Sequence, residues 1–206
     1  MQLFSVHSPA VRFLEFLFQL IVLNLLTLVC CLPAVTAGAA LTALYRCLFD
    51  MREGKSDIFK RYFRALKENI RPALLMGVIF LAVCASFVLY AIFLSSMLAE
   101  GDVLAWLGIV AVGAVFFFPM TYAFPLLSKF DNGAIKTLLN AYLLSVRHTG
   151  TTIAVLLMNA LPWLLLLINP SWLLATLPVW LFFGLSLPAW FASGLFLRVF
   201  KKYAEI

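Results

Sequence analysis

Two histidines, nine carboxylates and four cysteines are the whole stock from which a catalytic or metal-binding constellation could be assembled. His7 and His148 each lack a Cys, His, Asp or Glu three or four positions away, the spacing that puts two metal ligands on one helix face. No Ser–His–acid set can be placed within the apolar runs, and there is no phosphate-binding glycine loop. Cys30, Cys31, Cys47 and Cys84 lie in or beside apolar runs and read as small packing residues. The expectation is a chain that is not an enzyme and carries neither cofactor nor metal.

The remaining polar chemistry is of two kinds. Within the apolar runs, Arg12, Glu15 and Gln19 fall at i, i+3 and i+7, on one helix face, with Glu15 placed to pair with Arg12. Asn24 and Asn159 lie deeper. Each is expected to bond across helices, to a Ser or Thr or to a carbonyl freed by proline. No deep Asp or Glu offers the usual coupling group for protons or sodium, which disfavours a standalone pump.

The second kind is basic and amphipathic. In residues 57–72, Ile58, Phe59, Tyr62, Phe63, Leu66 and Ile70 form one apolar face of 3.6-residue period, while Lys60, Arg61, Arg64, Lys67 and Arg71 fill the other side. Ser56 is a good N-cap, and Pro72 suits the first turn of a following helix. A second such segment, about 134–147, sets Ile135, Leu138, Leu139, Tyr142 and Val146 against Lys136, Asn140 and Arg147, with Gly150 as a hinge after it. Both read as cytoplasmic helices lying along the inner leaflet. Anionic lipid would attract such basic faces by about 1 kcal/mol per residue, and a partner protein could dock there. Lys60, Arg61, Arg64, Lys67 and Arg71 are the docking candidates. Nucleic acid is not an expected partner, because the basic residues follow membrane topology.

These residues need elements to carry them. A bilayer core takes about 20 apolar residues per helix, and six runs qualify: about 11–32, 34–48, 73–98, 103–127, 151–168 and 172–200. Every Lys and Arg lies at the start of the first run, at or between the facing ends of the second and third, between the fourth and fifth, or at the end of the sixth and beyond. The other connections, at Pro33, at Ala99-Glu100-Gly101-Asp102 and at Asn169-Pro170-Ser171, hold none. Six spans therefore satisfy the positive-inside rule with both termini cytoplasmic. The alternative topology makes the first two runs one broken helix. Trp106, Trp163 and Trp172 fall near the outer boundary. Ala34, Ala37, Gly38, Ala39, Ala40 and Ala43 would let span two approach its neighbours closely, so Gly38 and Pro33 join Glu15, Asn24 and Asn159 as packing candidates. Aligning Ile58 with Ile135 suggests a parallel internal repeat; shared membrane constraints would give the same pattern.

Composition agrees with this class. The chain has 206 residues, 65% apolar and 12% charged, with net charge +6. Soluble domains carry about 25% charged residues, and half that cannot cover a water-facing surface of this size. The fold class is an all-α integral membrane bundle of six spans and two interfacial helices, in one transmembrane domain covering 1–206.

Several stretches resemble a known family. Leu23-Asn24-Leu25, Leu32-Pro33, Thr36-Ala37-Gly38 and Thr42-Ala43-Leu44-Tyr45, followed by the amphipathic stretch with Phe63 and Lys67-Glu68-Asn69, are similar to the YesL-like family of bacterial membrane proteins, a domain of unknown function. The resemblance implies a multi-pass protein of the bacterial plasma membrane. It also implies an association with carbohydrate ABC importers, because members are often encoded beside importer permeases and glycoside hydrolases. The leading expectation is a non-enzymatic accessory or regulatory subunit that contacts permease subunits and anionic lipid. A self-contained transporter or channel and a lipid-contacting assembly factor are the alternatives.

Overall fold

The computed structural model describes residues 9–55, 57–97, 103–130 and 132–204. His7, the Ser56 cap and the Ala99-Glu100-Gly101-Asp102 turn lie outside the described residues, as do the side chains of Trp106 and Trp163. The described chain is helical, with no strand among those residues. Its elements are α1 (Pro9–Cys31), a 3-10 turn (Ala34–Thr36), α2 (Ala37–Arg52), α3 (Ile58–Met97), α4 (Val103–Lys129), α5 (Ala134–Arg147), α6 (Thr149–Ile168), α7 (Pro170–Phe183) and α8 (Ser186–Ala204).

Among the described residues, three helices are long and apolar enough to cross a membrane: Pro9–Cys31, Ile58–Ser96 and Leu107–Lys129. The count is four if Leu174–Phe183 and Ser186–Tyr203, bent by 52° at their break, form one span. Side chains such as Val88, Leu89, Ile92 and Phe93 on α3 point outward, about 55 to 68% exposed. A surface this apolar is stable against lipid and not against water.

α2 is the axis of the bundle. It packs against α1, α3, α4 and α8, and eleven of its residues, from Gly38 to Asp50, are buried. Its small residues are the reason, since an alanine-rich face lets neighbouring backbones come close. Below them, Tyr45 and Phe49 begin an aromatic column that ties α2, α4 and α8 together. Tyr45 lies 5.9 Å from Phe196, Tyr122 lies 4.9 Å from Phe196, and Phe49 lies 6.2 Å from Phe200.

Three details depart from the sequence reading. α3 runs unbroken across Pro72, where the sequence placed a junction between an interfacial helix and a span. Gly150 is not a hinge between helices: it sits inside the first turn of α6, and the chain turns instead at His148, with φ −119° and ψ 48°. The apolar run 172–200 is divided at Gly184 and Leu185 into α7 and α8. The 77-residue offset also pairs positions of opposite burial, Ile58 at 8% and Tyr62 at 0% exposed against Ile135 at 69% and Leu139 at 62%. At these two pairs the packing does not follow that offset.

Candidate functional site at the charged end of the bundle

The last turns of α2 gather the charges that the sequence scatters. Asp50 is buried, and a buried carboxylate is stable only when paired. Its Oδ1 accepts from Lys55 Nζ at 3.0 Å and its Oδ2 from Arg61 Nη1 at 3.1 Å. Glu53 accepts from Lys55 through Oε2 and from Lys129 Nζ through Oε1, the latter at 2.9 Å. Two carboxylates and three cations thus join α2, the α2–α3 turn, α3 and the end of α4. The turn closes through Gly54, whose φ of +74° suits glycine.

Two arginines of α2 extend this hub. Arg46 donates to the Ser128 carbonyl at 2.9 Å, at the C-terminal end of α4. Arg52 lies 3.9 Å from the Trp190 ring centre, and donates to Ser193 Oγ at 2.8 Å and to the Trp190 carbonyl at 2.6 Å. A cation over a tryptophan face contributes about 0.5–2 kcal/mol. The end of α2 is thereby fastened to α3, α4 and α8 at once.

The electrostatics follow from the contacts. Hydrogen bonds from Lys55 and Lys129 pull the Glu53 carboxyl down to about 2, against a small opposing effect of burial. The hydrogen bonds that Lys55 donates to Glu53 and Asp50 raise its own pKa above the ordinary value.

Beside the hub lies a groove of about 560 Å³ lined by Arg12, Glu15, Gln19, Met51, Lys55 and Trp190. The polar face of α1 thus borders the charged cluster. Within it, Gln19 Nε2 lies 3.5 Å from Glu15 Oε1. The expected Arg12–Glu15 ion pair is not formed among the described residues.

The other sequence candidates separate into different roles. Lys60, Arg64, Lys67 and Arg71 are exposed along the first third of α3, whereas Arg61 is half-buried and turned to Asp50. Pro33 is exposed and starts the 3-10 turn, its carbonyl accepting from Thr36. Gly38 is buried where α2 crosses α3. Asn159 is exposed and donates to Val155 of its own helix at 2.8 Å, so it does not bond across helices as expected.

Asn24 does bond across helices, and more fully than the sequence suggested. Fully buried on α1, its Oδ1 accepts from the backbone N–H of Leu185 at 2.8 Å and of Ser186 at 2.9 Å, and its Nδ2 donates to the Leu181 carbonyl at 2.7 Å. One side chain therefore satisfies backbone groups on both sides of the α7–α8 break. A helix break inside lipid is tolerated only when such groups are satisfied.

Sequence reasoning missed Asp50, Glu53, Arg52 and Trp190. A signal existed: Asp50 and Glu53 are carboxylates in a connection rich in lysine and arginine, three residues apart and close to a turn glycine.

A family model described as "Protein of unknown function, DUF624" matches residues 20–91. The matched stretch runs from α1 through α2 and most of α3, and so includes Asn24, Gly38, the two carboxylates of the hub and its Lys55 and Arg61 partners. No curated protein and no solved structure matches the chain.

Proposed function

We propose that this chain is a non-enzymatic accessory subunit of a membrane transport complex, built to dock other membrane components at its charged end. The observation that carries this reading is the orientation of α5. Its small and hydroxyl-bearing residues Ala134, Thr137, Ala141 and Ser145 are buried, while Ile135, Leu139, Tyr142, Leu143 and Val146 face outward, 48 to 69% exposed. A helix that turns large apolar side chains away from its own bundle, beside the basic rows of α3, offers a surface for lipid or for another helix.

In this reading the chain crosses the membrane six times, with α7 and α8 as one bent crossing, and the hub and both termini lie in the cytosol of a bacterial cell. α3 has 40 residues, about 60 Å at 1.5 Å per residue, against a hydrocarbon core of about 30 Å. Its first turns, with Lys60, Arg64, Lys67 and Arg71, then stand in the headgroup layer or beyond it. The partner is the permease of a carbohydrate ABC importer; that part of the proposal rests on the YesL-like resemblance of residues 23–77.

Affinity purification from native membranes in a mild detergent tests the proposal. Permease subunits should be recovered with the chain in constant proportion. Recovery of the chain alone contradicts an accessory role.

A second reading, a self-contained transporter, has one observation in its favour. Broken helices near mid-membrane often line substrate sites, and the Ser186 hydroxyl beside this break is buried without a hydrogen-bond partner. The Asn24 amide, however, is occupied in joining the two half-helices. Transport of a sugar or ion by the purified chain in liposomes would favour this second reading.

A further inference from the structure

At the charged end, α4, α5 and α8 enclose a cleft of about 350 Å³ that none of the residues of the Asp50 hub lines. Its floor is apolar, formed by Phe130, Leu144 and Phe200. Its rim is polar, with Asn140 and Arg147 from α5 and Tyr203 from α8. Leu143, 65% exposed, lines the cleft and also belongs to the outward apolar face of α5, so the cleft opens sideways onto that face.

The rim is electropositive. The Arg147 guanidinium lies 5.4 Å from the Tyr203 ring centre, and no carboxylate among the described residues pairs with it. His148 shares a 3.0 Å hydrogen bond with the Tyr203 hydroxyl. Partial burial and the charges of Lys202 and Arg147 keep the His148 pKa below its ordinary value. An anion here would meet the Arg147 guanidinium and the Asn140 amide, directly above an apolar floor.

We infer that this cleft binds a single anionic phospholipid, with the phosphate held by Arg147 and Asn140 and an acyl chain laid along Leu143, Leu144 and Phe130. A soluble anion would use the rim but not the floor. A zwitterionic lipid such as phosphatidylcholine offers the same phosphate, but its own ammonium would sit beside the Arg147 guanidinium and offset the gain. Guanidinium–phosphate pairing is strong because both partners are charged and the geometry is planar. This inference does not rest on the accessory-subunit reading and stands or falls separately.

Native mass spectrometry of the purified full chain tests it. The chain would be titrated with phosphatidylglycerol or with phosphatidylcholine of the same acyl chains. Phosphatidylglycerol should bind as one saturable adduct, about tenfold more tightly than phosphatidylcholine. Arg147→Gln and Asn140→Leu, both at exposed positions, should each erase most of that preference; Lys60→Gln, an equal loss of charge on α3, should keep it. Millimolar inorganic phosphate should not displace the lipid. Equal binding of the two lipids, an unchanged preference in Arg147→Gln, a loss in Lys60→Gln as large as that in Arg147→Gln, or displacement by phosphate would each overturn the assignment.

Discussion

Gly38 of α2 and Gly77 of α3 meet backbone to backbone. A Cβ built on Gly38 would fall 3.2 Å from the Gly77 Cα and 2.5 Å from the Ala73 carbonyl oxygen. Both contacts are with backbone, which no rotamer change relieves. Gly38→Ala should therefore push α2 off α3 and lower stability by about 1–3 kcal/mol, as overpacking does. Gly77→Ala, whose nearest contact would be the Val35 carbonyl at 3.3 Å, should cost less. Melting temperatures in detergent micelles check both; equal, negligible effects would show that the crossing is looser than described.

Replacing Asn24 by leucine should strand the Leu185 and Ser186 N–H groups and the Leu181 carbonyl. Each buried unsatisfied group costs about 1–3 kcal/mol, so a total of roughly 2–5 kcal/mol is expected after relaxation. Asn159→Leu, which removes an exposed bond within one helix, should stay within about 0.5 kcal/mol. Thermal unfolding of the pair in one detergent separates the two amides.

Glu53 gives a pH dependence of known sign. Its carboxyl is held near 2 in the fold, below its ordinary 4.5. Its stabilising contribution is therefore complete above about pH 5 and is lost as the pH falls through 4.5 towards 2. The side chain is 40% exposed, so screening limits the contribution to about 0.2–1 kcal/mol. Melting temperature measured between pH 5 and 2.5 should fall less steeply in Glu53→Gln than in the native chain.

Asp50 matters more, because its side chain is only 9% exposed and holds two cations. Asp50→Asn keeps the shape but removes the charge, and should cost about 1.5–3 kcal/mol. Adding Arg61→Gln should cost less than the sum of the two single changes, since the partner has already been lost. Strict additivity in that cycle would show that the Asp50–Arg61 contact contributes nothing.

The helical class was legible because hydropathy and charge count are properties of the whole chain. Asn24 was legible as a buried amide, but its partners were not. α7 is apolar on every side, so nothing in its pattern marks Gly184 as the place where the helix breaks. Pro72 misled in the opposite direction: it signals a helix start, yet α3 passes through it. On α5 the large apolar residues face outward, and Ala134, Thr137, Ala141 and Ser145, which the sequence reading did not single out, form the packed side. In a membrane the usual inference reverses, because large apolar residues can face outward and small residues permit close packing. The carboxylates of the hub are outnumbered by lysine and arginine in the same connection, and only the fold brings Asp50 to Arg61 and Glu53 to Lys129.

The docking surface, as proposed, requires that the cationic end of the bundle face the cytosol. A chain carrying Lys60→Cys, with Cys30, Cys31, Cys47 and Cys84 replaced by alanine, can be treated with a membrane-impermeant maleimide. Position 60 should remain unlabelled in intact bacterial cells and react fully in inside-out vesicles. Labelling of intact cells at the rate seen in vesicles would place that end outside and contradict the docking surface proposed for it.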